Sequence, residues 1–200
     1  MKNLMTYTRL LPNFQPKSKF CGRRQFIGGM MALVGACGFG GAYTAAAADR
    51  SALQSGPAPS MTVPITDKAG NAIRLERYRG TPLLINFWAT WCPPCVAELP
   101  ALDRAATALA GSVTVLLVSV DRGGSAKALP FLEQRAITTP VIGFDPKAAL
   151  SREMGVRGLP TTFLIDANQA QSWSYLGPRD WDQPDMLNSI RALLGIKSTT

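Results

Sequence analysis

From Leu83 to Ala89 the chain is apolar at every position except Asn86, the pattern of a strand buried on both faces. Val113–Val120 is a second run of this kind. Between them, Val96, Leu99, Leu102, Ala106 and Leu109 recur at helical spacing. The helix they predict starts at Trp91-Cys92-Pro93-Pro94-Cys95 and ends near Leu109. Pro100 lies inside it and should kink it, because proline lacks the amide donor and crowds the preceding turn. Further on, the pattern predicts a helix over Ser125–Ala136 with Pro130 near its start, a short strand over Val141–Phe144 and a short helix over Ala148–Met154. Thr161–Asp166 and Ser172–Leu176 read as an antiparallel hairpin around the polar turn Ala167–Ala170. Pro184–Leu194 closes the pattern as a helix, apolar at Met186, Leu187, Ile190, Leu193 and Leu194. Asp182 and Asp185 near its start suit the helix dipole. Upstream, Thr62–Ile65 and Ala72–Leu75 are short candidate strands around the turn Asp67-Lys68-Ala69-Gly70-Asn71. Strands alternating with helices, followed by a hairpin and a helix, define the α/β class: a central mixed sheet with helices on both faces. No internal repeat is present.

Residues 49–60 are rich in Ser, Pro, Gly and Ala and read as a flexible linker, which leaves 61–200 as the folded domain. Residues 1–48 differ in kind. Phe26–Ala48 carries no charge and as a helix would reach ~35 Å, enough for a bilayer core of ~30 Å. Its glycines at 28, 29, 35, 38, 40 and 41 make it a poor helix. It follows a basic stretch and ends in Ala45-Ala46-Ala47-Ala48, which fits a small-residue cleavage site. Arg23-Arg24-Gln25-Phe26-Ile27 resembles a twin-arginine export signal; the plainer alternative is an ordinary secretory signal with two arginines. Val34-Gly35-Ala36-Cys37 has the form of a lipidation box. Cleavage, lipidation at Cys37 and retention as a membrane anchor are three fates of this segment. Each places the domain on the periplasmic side, with the basic flank left in the cytoplasm.

The net charge of +8 suggests nucleic acid until it is mapped. Lys2, Arg9, Lys17, Lys19, Arg23 and Arg24 stand in residues 1–48, with no acidic residue beside them. The 15 basic and 13 acidic groups that follow leave the body at +2, with signs mixed along the chain. No basic stripe for phosphates remains, so no nucleic-acid partner is expected. The chain has no histidine. That excludes Ser-His-Asp and Cys-His catalysis and every His-ligated metal site.

Of four cysteines, Cys21 and Cys37 lie in the leader, and only Cys92 and Cys95 in the body. A bridge between cysteines three apart closes a loop too small to constrain the unfolded chain much. Two thiols without a further pair or a histidine do not complete a zinc site, so no metal is expected. A redox dithiol is the reading left, and it needs no other cofactor. Cys92 follows a buried strand and enters a helix, where amide N–H groups and the dipole stabilise a thiolate. Cys95 lies inside the first turn. Cys92 is therefore the expected nucleophile and Cys95 the resolving thiol. Pro93 and Pro94 suit the first helical positions but remove two donors that could face the Cys92 sulfur. A less stabilised thiolate favours reduction of partners over their oxidation.

Glu98 lies at i+3 from Cys95, on the same helix face, and is the candidate base for its proton. The plainer reading is a solvated helix glutamate. Trp91 reads as an apolar rim beside Cys92, and Trp88, on the strand, as core.

Phe87-Trp88-Ala89-Thr90-Trp91-Cys92-Pro93-Pro94-Cys95-Val96-Ala97-Glu98-Leu99-Pro100 resembles the active-site stretch of the TlpA/ResA-like family of extracytoplasmic thioredoxin-fold reductases. The similarity extends from about Pro64 to Leu194. The resemblance implies a thioredoxin-like fold in which Asp121–Asp145 contributes an extra strand and helix. It implies that Gly158-Leu159-Pro160-Thr161 is a cis-proline loop, with Pro160 facing the cysteines and the Leu159 backbone available to an extended substrate; without it, Pro160 reads as a trans proline starting a strand. Asn86 stands where general thioredoxins carry a buried aspartate, which strengthens Glu98 as the proton handler. Gly177-Pro178 followed by Trp181 is similar to the TlpA branch. The resemblance also implies protein disulfide substrates, apocytochrome c or copper-oxidase assembly proteins, and a membrane thiol-electron transporter as reductant. The Pro-Pro pair departs from many members. Three other readings stay open: a thiol oxidase or peroxide-linked thiol protein of the same fold, a copper-binding assembly factor without turnover, and an adaptor with an inert cysteine pair.

Overall fold

The computed structural model describes residues 53–196. The leader, with its twin-arginine-like pair and Cys37, lies outside the described residues. An eight-stranded mixed sheet forms the centre. In chain order its strands are β1 (Gln54–Pro57), β2 (Ile65–Thr66), β3 (Ala72–Ile73), β4 (Leu83–Trp88), β5 (Thr114–Ser119), β6 (Val141–Phe144), β7 (Thr161–Ile165) and β8 (Gln171–Leu176). Four helices accompany them: α1 (Pro93–Ala108), α2 (Gly124–Glu133), α3 (Ala149–Glu153) and α4 (Pro184–Leu193). Across the sheet the order is β1-β8-β7-β4-β5-β6-β2-β3. Among the described residues no helix is long and apolar enough to cross a membrane.

The alternation of side chains along a strand sorts the apolar runs onto two faces. Leu84 and Trp88 of β4, Val115 and Leu117 of β5 and Leu164 of β7 pack with Leu99, Leu102 and Ala105 of α1 and with Met186, Leu187 and Ile190 of α4. The intervening residues Leu83, Ile85, Phe87, Leu116, Val118, Phe163 and Ile165 form a second core with Leu150 and Met154, at and beyond α3, and with Ile65, Ile73 and Leu75. Asn86 shares the parity of Leu84 and Trp88, so it is directed at the α1 side. β4 is parallel to β5 and antiparallel to β7. The C-terminal ends of β4 and β5 and the start of β7 therefore meet at one end of the sheet, where an α/β protein places its chemistry.

The central elements match their predicted positions to within two or three residues. Asp67–Asn71 forms the predicted turn, with the Asp67 carboxylate accepting from the backbone N–H of Ala69 and of Asn71. Three expectations are corrected. Gln54–Pro57, inside the stretch read as a flexible linker, pairs antiparallel with β8 from Gln54↔Ser174 to Pro57↔Gln171. An edge strand needs backbone pairing more than an apolar pattern, which is why a Ser/Gly/Pro segment can serve. Thr62–Ile65 and Ala72–Leu75 reduce to the two-residue strands β2 and β3, and Leu75 opens a 3-10 turn, Leu75–Tyr78. Pro130 lies in the second half of α2, not near its start. Gly143 leaves room for the Ile65 side chain beside it in the sheet, since a Cβ there would run into Ile65 Cδ1.

The segment between β1 and β2 is tied down by one carboxylate. Glu153, at the end of α3, accepts from Ser60 Oγ and Thr62 Oγ1, each at 2.6 Å, and from Val63 N at 3.0 Å. Desolvation pushes its pKa up, but these hydrogen bonds outweigh that and bring it down to about 2. A folded value below the ordinary one contributes stability that is present above pH ~4.5 and fades as pH falls toward 2. Glu153→Gln is therefore expected to lower stability by about 1 kcal/mol at neutral pH, given solvent screening. The difference should vanish near pH 2, read from melting temperatures across that range.

Candidate functional site: a buried dithiol at the head of α1

Cys92 is the N-cap of α1, in extended conformation (φ −101°, ψ 98°), and is joined to Cys95 by a disulfide. Pro93 and Pro94 occupy the first two helical positions, where proline is pre-organised and its missing N–H costs nothing. The first amide donor of the helix is consequently that of Cys95, and it points at Cys92 Sγ from 3.3 Å. The Cys92 sulfur thus meets one backbone donor of the helix where a proline-free turn offers more. Cys92 is 5% exposed and Cys95 is fully buried, so Cys92 is the more accessible sulfur.

Cys95, Glu98, Leu99, Leu102, Ala105 and Ala106 share the buried face of α1, at spacings of three and four. Glu98 is 3% exposed, so the reading as a solvated helix glutamate is excluded. Its Oε1 accepts from Asn86 Nδ2 at 2.7 Å. Its Oε2 accepts from Trp181 Nε1 at 2.9 Å and from the Arg179 backbone N–H at 3.0 Å. Asn86 in turn donates to Thr162 Oγ1 at 2.9 Å, across the β4–β7 register pair that sets the two opposite each other. Burial drives the Glu98 pKa up, and the bonds from Trp181, Asn86 and Arg179 recover part of that shift. Glu98 also lines an open groove of about 430 Å³ between α1 and residues 178–183.

The loop that presents Cys92 is braced from β5. Asp121 accepts from Thr90 N at 2.9 Å, Thr90 Oγ1 at 2.7 Å and Ser119 Oγ at 2.9 Å. Trp88 is fully buried against Phe131, whereas Trp91, two residues before the helix, is 67% exposed on the rim. The Leu159–Pro160 peptide is cis. Pro160 is buried and Leu159 half-buried. Thr161 Oγ1 donates to Gly158 O at 2.7 Å, and Gly177 N to Pro160 O at 2.9 Å, closing this loop against the end of β8. Because Thr161 pairs with Phe87, Pro160 leaves the sheet at the end from which Cys92 emerges.

Cys92, Cys95, Glu98, Trp91, Pro93, Pro94 and the Leu159–Pro160 loop therefore gather at one end of the sheet. The reading of single residues missed Asp121, Thr162 and the backbone of Arg179, and took Trp181 as a marker of similarity with no contact assigned. Each acts across the fold, from 31 to 83 residues away. Among the described residues no cluster of three or more Cys, Asp or Glu side chains is disposed to hold a metal.

A parallel-centred sheet with a cysteine pair at the entry of its first long helix and a cis-proline beside it defines a thioredoxin-fold dithiol protein. The comparisons agree. The chain belongs to the AhpC/TSA family, whose model matches residues 55–170, and within that fold it groups with proteins named DsbE and ResA. It is 32% identical over 132 residues to the thiol:disulfide interchange protein DsbE of Xylella fastidiosa, covering 66% of this chain and 65% of that one. It is 35% identical over 105 residues to the thiol-disulfide oxidoreductase ResA of Geobacillus thermodenitrificans, covering 52% and 59%. The match thus spans just under two thirds of these relatives' length. A solved chain from Chlorobium tepidum, described as a thiol:disulfide interchange protein DsbE, superposes with a TM-score of 0.60 at 30% identity. It covers 71% of this chain and 98% of that one.

Proposed function

We propose that this protein is an exported thiol:disulfide oxidoreductase that reduces disulfides in partner proteins. The observation that carries the reading is the Cys92–Cys95 disulfide at the head of α1, with the buried Glu98 one turn on. In the reduced protein, the Cys92 thiolate attacks one sulfur of the partner's S–S bond. A Cys92–partner mixed disulfide forms, and the partner's other sulfur leaves as a thiolate and takes up a proton. Cys95 passes its proton to the Glu98 carboxylate and attacks Cys92 Sγ. The partner's second thiol is released, the Cys92–Cys95 disulfide remains, and two electrons have moved to the partner. A dithiol donor at the membrane restores the pair. The rim formed by Trp91 and the Leu159–Pro160 backbone receives an extended segment of the partner.

The DsbE and ResA relatives support the thiol-exchange reading over a peroxide-linked one, although the family as a whole carries the AhpC/TSA name. The twin-arginine-like leader supports placement on the periplasmic side, and apocytochrome c or copper-oxidase assembly proteins are the substrates this reading favours. The loss of two amide donors at Pro93 and Pro94 predicts a reducing pair. The potential, from equilibration with a glutathione or dithiothreitol buffer, is expected well below about −120 mV, the value of a strong oxidant. A potential near that figure, or failure to reduce insulin while hydrogen peroxide oxidises the pair rapidly, would overturn the assignment.

A further inference from the structure

At Trp91, the residue that precedes Cys92, a pocket of about 490 Å³ is lined by Trp91, Val120, Asp121, Arg122, Gly123 and Lys127. Arg122, Lys127 and Trp91 are exposed. Asp121 is the one acid in the lining, and it is spoken for: it is 2% exposed, and both its oxygens accept from Thr90 and Ser119. Neither Arg122 nor Lys127 forms an ion pair; among the described residues that interaction belongs to Arg104 and Asp182. The lining thus carries a net single positive charge, with the two exposed cations at its solvent side and the one carboxylate buried beneath, next to the exposed indole of Trp91. Like-signed charges placed around a binding surface select partners of the opposite sign and speed their encounter.

We infer that this pocket is a specificity site for an acidic segment of the partner protein, one carrying carboxylates within a few residues of the disulfide being reduced. The inference rests on the proposed reductase reading and deepens it. Trp91 takes an apolar side chain of that segment, and Arg122 and Lys127 take its carboxylates. The contacts are solvent-exposed, so they act on encounter and register more than on the bond exchange itself.

The test uses the full chain, reduced and freed of reductant. Three short peptides share one internal disulfide and differ only in flanking residues: aspartate, serine or lysine. Second-order rate constants follow from the loss of protein thiols. The aspartate peptide is expected to react about tenfold faster than the lysine peptide at low ionic strength. That ratio should approach one at 1 M salt, where the Debye length is about 3 Å. Arg122→Gln with Lys127→Gln should bring it near one at low salt, and Arg122→Glu with Lys127→Glu should reverse it. A wild-type ratio within twofold of one, or a ratio that survives charge reversal or high salt, overturns the inference. The salt arm decides even if a variant fails to fold. If the serine peptide is reduced but no ratio appears, the inference fails alone; if none of the three is reduced, the reductase reading fails with it.

Discussion

A Cys95→Ser variant is expected to accumulate in cells as a mixed disulfide with its partners, attached through Cys92. The expectation follows from the geometry of the pair. Cys92 caps the helix and is the less buried sulfur, whereas Cys95 lies wholly inside on the face of α1 that meets the sheet. A foreign disulfide therefore reaches Cys92 first, and Cys95 acts only on the bond that results. Serine at 95 keeps the helix and its N–H to Cys92 Sγ but removes the resolving thiol. Turnover should fall by at least about a thousandfold, the scale on which loss of a catalytic nucleophile acts. Cys92→Ser should lose turnover as completely but trap nothing. Non-reducing gels of the two variants, with mass spectrometry of the adducts, distinguish them and identify the partner. Equal trapping at both positions, or adducts on Cys95 in the Cys92→Ser chain, would contradict the assigned order of attack.

The parts of the fold readable in advance are those governed by local pattern. The double-faced strands β4 and β5, the α1 periodicity and the β7–β8 hairpin follow from side-chain spacing alone. The relation of Glu98 to Cys95 was readable for the same reason, since three residues on a helix place both on one face. What escaped depends on pairing between distant segments. β1 has no apolar signal of its own and is a strand because β8 offers it an edge. Asn86 breaks an apolar run for a reason seen only across the sheet: its parity aims it at α1, and its register sets it against Thr162. The groups that hold Glu98 from the far side, Trp181 and the Arg179 backbone, come from the segment between β8 and α4, about 80 residues downstream of it. No spacing rule links such positions. The exposure of Glu98 was likewise beyond local reading, because a glutamate on a helix is solvated unless another element covers it, and here residues 178–183 do.

That cover sets the behaviour expected of Glu98 variants. Glu98→Gln keeps the size of the side chain but cannot accept a proton from Cys95. Resolution of the mixed disulfide should slow by about 10²–10⁴, the usual worth of a positioned general base. Glu98→Ala removes the acceptor shared by Asn86 Nδ2, Trp181 Nε1 and Arg179 N, which costs the buried Trp181 N–H its hydrogen-bond partner and leaves Asn86 Nδ2 with Thr162 alone. At about 1–3 kcal/mol per unsatisfied group, it should destabilise by several kcal/mol, and more than the glutamine variant does. The pH dependence carries the sharper test. Burial raises the folded pKa above the ordinary 4.5. The folded state therefore holds the proton more tightly than the unfolded chain, and the stability this confers is full below pH ~4.5 and lost as pH rises through the elevated value. Activity runs the other way, because the carboxylate is the form that accepts the thiol proton. One titration should thus lower the melting temperature and raise the rate over the same pH interval, and Glu98→Gln should flatten both curves. Single-turnover resolution rates and thermal melts across pH 4 to 9 measure the two. A glutamine variant with wild-type rate and an unchanged acid limb would leave Glu98 a structural acceptor and nothing more.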